Sequence, residues 1–183
     1  MKEQYATKRL LLIPANKSLT EAVTDYYVRN RAFFQPFDPV CGEEFFTYRY
    51  QRARLDLDEQ NAMQAQGYRF YLVKKEQPQQ VMGMVALNGI VWGSFCSCFL
   101  GYKLDKDHLR QGLMSEAVQE CVRIAFEELG LHRIEANIMP CNLPSLGVAE
   151  KCGFVREGIS RKNLKINGVW EDHIHMVRLN ETE

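Results

Sequence analysis

Neither sign of charge is in excess: 23 Lys and Arg balance 23 Asp and Glu in 183 residues. Without a net field, nucleic acid and anionic membrane are not expected as partners. Long apolar runs are missing too. No stretch approaches the roughly 18–20 apolar residues of a membrane helix. The opening MKEQYATKRLLLIPAN has an apolar run too short for a signal peptide and interrupted by Pro14. A cytoplasmic protein is the expectation. Cys41, Cys96, Cys98, Cys121, Cys141 and Cys152 form no Cys-x-x-Cys pair. Reduced thiols are therefore expected, and no zinc site. Cys96 and Cys98 are read as sharing one strand face, as are His173 and His175. The histidines have no third ligand near them in sequence, so no metal is expected. No Gly-x-x-x-x-Gly-Lys-Ser/Thr occurs, which disfavours a nucleoside-triphosphatase. Linkers and repeats are absent, so 1–183 reads as one domain.

What is present is an ordered series of short elements. A strand at 8–15 ends at Pro14, and Ser18 with Glu21 reads as a capping box opening a helix to about Asn30. Phe33, Phe34 and Phe37 crowd a loop broken by Pro36 and Pro39. A second helix is expected at 48–66, stopped by Gly67. Strands follow at 68–74 and 80–87, around a turn at Gln77, Pro78 and Gln79, and then at 95–104. After the next helix come a strand at 132–139, a short helix ending at Cys152 and Gly153, and two strands joined by the hairpin signal Asn167-Gly168. The order gives an α/β (α+β) domain with a mixed sheet. Strands 95–104 and 132–139 form a β-α-β unit and should run parallel.

The helix of that unit carries the strongest pattern. Leu113, Ala117, Cys121, Ile124 and Leu129 recur at helical spacing, and Gly130 ends the helix. Ahead of it lies a polar turn holding Gly112. A glycine turn at a helix N-terminus leaves N–H groups unpaired where the helix dipole favours an anion. Arg110 can add a charge-assisted bond. Lys151, Arg156, Arg161, Lys162 and Lys165 form a local basic cluster, a pattern most often solvated surface.

This order, with the turn at 109–114 and Asn-Leu-Pro-Ser-Leu-Gly-Val-Ala-Glu-Lys-Cys-Gly-Phe at 142–154, resembles the GNAT superfamily of acyl-CoA-dependent N-acyltransferases. It resembles in particular the RimJ/RimL branch, whose RimJ-type members acetylate an N-terminal alanine of a ribosomal protein. The resemblance implies a GNAT fold, a mostly antiparallel sheet in which the two parallel strands splay. It implies acetyl-CoA as cosubstrate and no metal. The pantetheine arm would meet the backbones of Lys103 and Leu104 and the side chain of Asn142. The pyrophosphate would lie on Leu109, Arg110, Gln111, Gly112, Leu113, Met114 and Ser115. Only Gly112 matches the superfamily loop strictly, and the bulk of Met114 has to turn away. Where many members place a tyrosine acid, this chain has Ala149. Ser145 matches the branch's Asn-x-x-Ser and is the expected hydroxyl donor to the thiolate. It also touches the cofactor site, and equally fits a helix cap.

For the base, Glu135, Asp172 and Glu44 are candidates, and Glu135 is taken as the catalytic one. Phe37 and Asp172 are assigned to substrate binding, with the acceptor between the aromatic loop and the last hairpin. The expected partner is a protein N-terminus, such as that of a ribosomal protein, and the state a monomer or homodimer. The alternatives are a small-molecule amine acetyltransferase and a non-catalytic CoA-binding or ribosome-associated module. Cys141 as an acetyl-carrying nucleophile is disfavoured because no histidine partner stands near it in sequence.

Overall fold

Strand alternation with both faces apolar forces the sheet to be covered on two sides. In residues 68–74, Phe70 and Leu72 join one core while Tyr71 and Val73 join the other. The computed structural model describes residues 2–181. Its strands are β1 (Tyr5–Ala6), β2 (Leu10–Pro14), β3 (Tyr68–Lys74), β4 (Gln77–Val91), β5 (Ser97–Leu104), β6 (Arg133–Ile138), β7 (Val155–Ile166) and β8 (Val169–Leu179). Its helices are α1 (Thr20–Phe34), α2 (Tyr48–Met63), α3 (Leu113–Arg123) and α4 (Leu143–Lys151). The strands form a single eight-stranded sheet in the order β1-β2-β3-β4-β5-β6-β8-β7.

Leu113, Val118, Cys121 and Ile124 from the α3 segment and Leu146 from α4 pack with Leu12, Phe70, Leu100, Ile134 and Met176 on one face. Val23, Tyr26 and Tyr27 of α1 and Leu55 of α2 pack with Tyr71, Val73, Val81 and Met84 on the other. Each such fully buried side chain contributes about 1.5–3 kcal/mol by leaving water. No helix among the described residues is long and apolar enough to cross a membrane.

β5 and β6 are parallel; the other neighbours in the sheet are antiparallel. The β5–β6 pairing covers only Ser97↔Arg133, Cys98↔Ile134 and Phe99↔Glu135. β5 then runs on to Leu104 and β6 to Ile138 without meeting. The sheet therefore opens between them, as the resemblance implied.

Three local expectations differ. The capping box does not form. Asn16 accepts the Ser18 N–H at 3.0 Å and starts a 3-10 turn at Lys17–Leu19, so α1 begins later, at Thr20, behind an uncapped Leu19. The turn expected at Gln77–Gln79 lies instead at Lys75 and Glu76, and β4 starts at Gln77. Lys74 pairs with Gln77 but Val73 with Val81, so the three residues between, Pro78 included, bulge out. A bulge accommodates a proline that has no N–H to give the ladder. Finally, Cys96 has φ +40° and precedes β5, so Cys96 and Cys98 do not share a strand face.

Candidate active site

The gap between β5 and β6 exposes unpaired backbone on one edge of β5. The Asp105 N–H donates to the Met82 carbonyl at 2.8 Å, continuing the β4–β5 register of Gly83↔Leu104 and Met84↔Lys103. Antiparallel pairs alternate between bonded and non-bonded. Asp105 and Lys103 thus aim their backbone groups at β4, while Leu104 and Tyr102 aim theirs into the gap. The Lys103 carbonyl also accepts the Tyr26 hydroxyl at 3.2 Å. Of the two residues assigned to the pantetheine arm, Leu104 faces the gap and Lys103 does not; Tyr102 does so instead. The Lys103 ammonium serves the other face, 2.5 Å from each oxygen of Asp38.

At the end of β5 the chain turns through Leu109, Arg110 (φ +59°), Gln111 and Gly112 (φ +72°) into α3. The first α3 bond runs from the Glu116 N–H to the Gly112 carbonyl at 3.1 Å, and no side chain caps the helix. The N–H groups of Leu113, Met114 and Ser115 are the orphan donors of that turn. Their side chains are buried, and Met114 belongs to the core. Met114 therefore turns inward, which removes the objection to its size.

Two cations from distant parts of the chain meet here. A Cβ built on Gly112 would lie 3.7 Å from Arg9 Nη2 and 4.0 Å from Lys151 Nζ. Arg9 is held in place by Nε to Glu116 Oε2 at 2.7 Å and by Nη1 to the Gln111 carbonyl at 2.9 Å. Burial pushes the Glu116 carboxyl up, but bonds from Thr7 and Arg9 more than offset this and hold it below the usual carboxylate range. Arg9 is absent from the sequence reading, and Lys151 entered it only as part of a basic cluster.

Across the gap, Asn142 caps α4 by accepting the Ser145 N–H at 3.2 Å. The Ser145 hydroxyl donates to the Tyr102 oxygen at 3.0 Å, and the Tyr102 hydroxyl donates to the Ser145 carbonyl at 2.8 Å. Burial pushes the Tyr102 phenol up to about 12, against the opposing bond from Ser145. Ala149, one turn further, is wholly buried. Cys141 is exposed. Cys141→Ala is expected to keep at least about half the wild-type turnover, an exposed position tolerating truncation. Near-complete loss in a steady-state assay would revive a covalent route.

The remaining assigned residues are spread out. Glu135 has both oxygens engaged, with Arg133 Nε at 2.6 Å and His175 Nε2 at 3.2 Å, while His175 Nδ1 lies 3.0 Å from Asn137 Oδ1. Asp172 accepts the Lys162 N–H at 2.8 Å, within an irregular stretch of β7. Alternation along β8 sets it on the face of Ile174 and Met176, away from the aromatic loop. Phe37 is partly exposed, in a 3-10 turn. Beside it Phe34, Asp38, Phe45, Tyr27, Arg31 and Asn167 line a cavity of about 120 Å³. The Asn167 N–H donates to the Asp38 carbonyl at 2.9 Å, tying the hairpin tip to the aromatic loop. The structure thus brings together Leu104, Gly112, Asn142 and Ser145 around the gap, whereas the carboxylate of the aromatic cavity is Asp38 and not Asp172.

A split parallel strand pair leading to an uncapped, cation-flanked helix N-terminus is the frame that the resemblance to an acyltransferase fold implied. Residues 9–155 match the acetyltransferase (GNAT) domain, and the chain belongs to the GNAT acetyltransferase family. It is 44% identical over 151 residues to probable N-acetyltransferase YjcK of Bacillus subtilis (strain 168), covering 82% of this chain and 83% of that one. It is 31% identical over 173 residues to the [ribosomal protein uS5]-alanine N-acetyltransferase of Escherichia coli (strain K12), covering 94% and 89%. The crystal structure of ribosomal-protein-S5-alanine acetyltransferase from Vibrio fischeri superimposes with a TM-score of 0.93 at 30% identity, covering 98% and 97%.

Proposed function

We propose that the protein is a cytoplasmic, single-domain enzyme that transfers acetyl from acetyl-CoA to the α-amine of a protein N-terminus, with a ribosomal protein beginning in alanine as first candidate. The carrying observation is the gap between β5 and β6, which runs straight into the orphan N–H groups of α3. Backbone groups of Tyr102 and Leu104 would hold the amide-bearing pantetheine arm. The turn from Leu109 to Ser115 would hold the pyrophosphate, with Arg9 and Lys151 beside Gly112. Asn142 sets the helix turn that presents Ser145 to the leaving sulfur. The acceptor would enter from the aromatic side, past Phe37 and the Asp38 cavity. Attack is direct, in a ternary complex.

An α-amine has a pKa of about 7.7–8.0 against about 10.4 for lysine, so a usable fraction is neutral near pH 7 without a dedicated base. This fits a site where Glu135 is bound to Arg133 and His175. Turnover of acetyl-CoA with an Ala-terminal peptide should exceed that with a lysine peptide or spermidine by at least about tenfold, the span of roughly one pKa unit or more in neutral amine. Preference for spermidine or lysine would overturn the N-terminal assignment, and CoA release with none of them would overturn the enzymatic one.

A further inference from the structure

The family's tyrosine position holds Ala149 here, yet a tyrosine hydroxyl from another strand reaches the preceding turn of the same helix, at Ser145. Tyr102 lies in the part of β5 that has parted from β6, and Ser145 lies in the first turn of α4, which follows β6. Their contact spans the gap and is double. Ser145 Oγ donates to the Tyr102 oxygen, and Tyr102 donates to the Ser145 carbonyl. We propose that Tyr102 is a positioning residue for Ser145, and that the two hydroxyls together replace the missing tyrosine at the leaving thiolate. The proposal rests on the acetyltransferase reading above.

At rest the serine proton points at Tyr102, so the serine rotamer is fixed. In the reaction the amine nitrogen bonds to the thioester carbonyl carbon, and the C–S bond breaks with its electron pair passing to sulfur. As charge builds on sulfur, the Ser145 O–H turns to it. The Tyr102 O–H turns from the Ser145 carbonyl to Ser145 Oγ, reversing the bond over the same 3.0 Å. The Ser145 carbonyl keeps its own helical N–H partner four residues on. Neither side chain ends the step without its proton. The amine releases one to solvent and the thiolate takes one from solvent. Burial around Tyr102 favours this hydrogen-bonding role over outright proton loss, since phenolate is the form burial disfavours.

A merely structural Tyr102 would lower stability and nothing else. The test is therefore a cycle of Tyr102→Phe, Ser145→Ala and the double variant, beside wild-type enzyme turning over acetyl-CoA with an Ala-terminal peptide. Tyr102→Phe is expected to lower kcat about ten- to a hundredfold, the scale of losing one aimed donor. KM for acetyl-CoA should stay within about twofold, because ground-state binding is untouched. The double variant should be no slower than Ser145→Ala alone, because Tyr102 acts through Ser145. Unchanged kcat in either single variant, or multiplicative losses in the double, overturns the proposal. If Tyr102→Phe stays folded by circular dichroism but fails to bind CoA in a calorimetric titration, the phenol serves binding and not the leaving sulfur, and the proposal falls. A wild-type enzyme that acetylates no amine would instead overturn the acetyltransferase reading, and this inference with it.

Discussion

Gly112→Val is expected to weaken CoA binding at least about tenfold, a loss of roughly 1.4 kcal/mol, without unfolding the protein. Gly112 sits at φ +72°, ψ 7°, where an L-residue costs about 1–2 kcal/mol and a β-branched one more. Nothing crowds the position. The nearest atoms a Cβ would meet are Arg9 Nη2 at 3.7 Å and Lys151 Nζ at 4.0 Å, both ordinary contact distances. The penalty is therefore conformational, and the turn can relieve it by rotating out of the left-handed region. Doing so displaces the Leu113, Met114 and Ser115 N–H groups, which need their present aim to meet an anion. The new side chain also stands against both cations. Calorimetric titration with CoA reads the binding, and circular dichroism with a thermal melt confirms the fold. An unchanged Kd would remove the pyrophosphate from this turn altogether.

How much of this the sequence shows depends on how local the cause is. The Asn167-Gly168 hairpin was legible because both residues must take positive φ, and they do, at +44° and +84°. Helix α3 and its Gly130 stop were legible from spacing alone. The helical ladder runs past Arg123 as a π-turn over Ile124–Glu128, which spacing does not reveal. Side-chain alternation in β5 was readable, but the direction of its backbone groups was not. That depends on which neighbour takes the Asp105 N–H, and so Lys103 was expected where Tyr102 stands. The splay itself came from family resemblance; no periodicity encodes it. Contacts over long separations were out of reach. Arg9 reaches Glu116 across 107 residues, and Tyr102 reaches Ser145 across 43. Asp38 looked like a loop residue until Lys103 and Asn167 closed on it.

Asp105→Ala is expected to cost about 3–5 kcal/mol, the usual loss when one partner of a buried charge pair is removed. Asp105 is 1% exposed and joins α1 to the turn that leads into the glycine loop before α3. Its Oδ2 accepts from Arg29 Nε at 2.7 Å and Asn30 Nδ2 at 2.9 Å, and its Oδ1 accepts the Asp107 N–H at 3.0 Å. Asn30, itself wholly buried, returns its own oxygen to the Lys106 N–H at 3.0 Å. Truncation leaves the Arg29 charge without its carboxylate and Asp107 without its acceptor. Because Arg29 retains some solvent access, the lower end of the range is the better figure. At about 2–4 °C per kcal/mol for a chain of this size, Tm should fall by roughly 10 °C. The pH dependence has a definite sign. Burial raises the Asp105 carboxyl, but the bonds from Asp107, Asn30 and Arg29 outweigh it and hold the folded-state value below the unfolded one. The stabilisation is therefore complete above the ordinary aspartate value of about 3.9 and drains away as pH falls through the lower folded value. Urea unfolding of wild type and Asp105→Ala should show a gap that is constant from pH 7 to about pH 5 and closes in more acid solution. Equal stability at pH 7 would mean that α1 is held by its apolar face alone and that the turn before α3 owes nothing to Asp105.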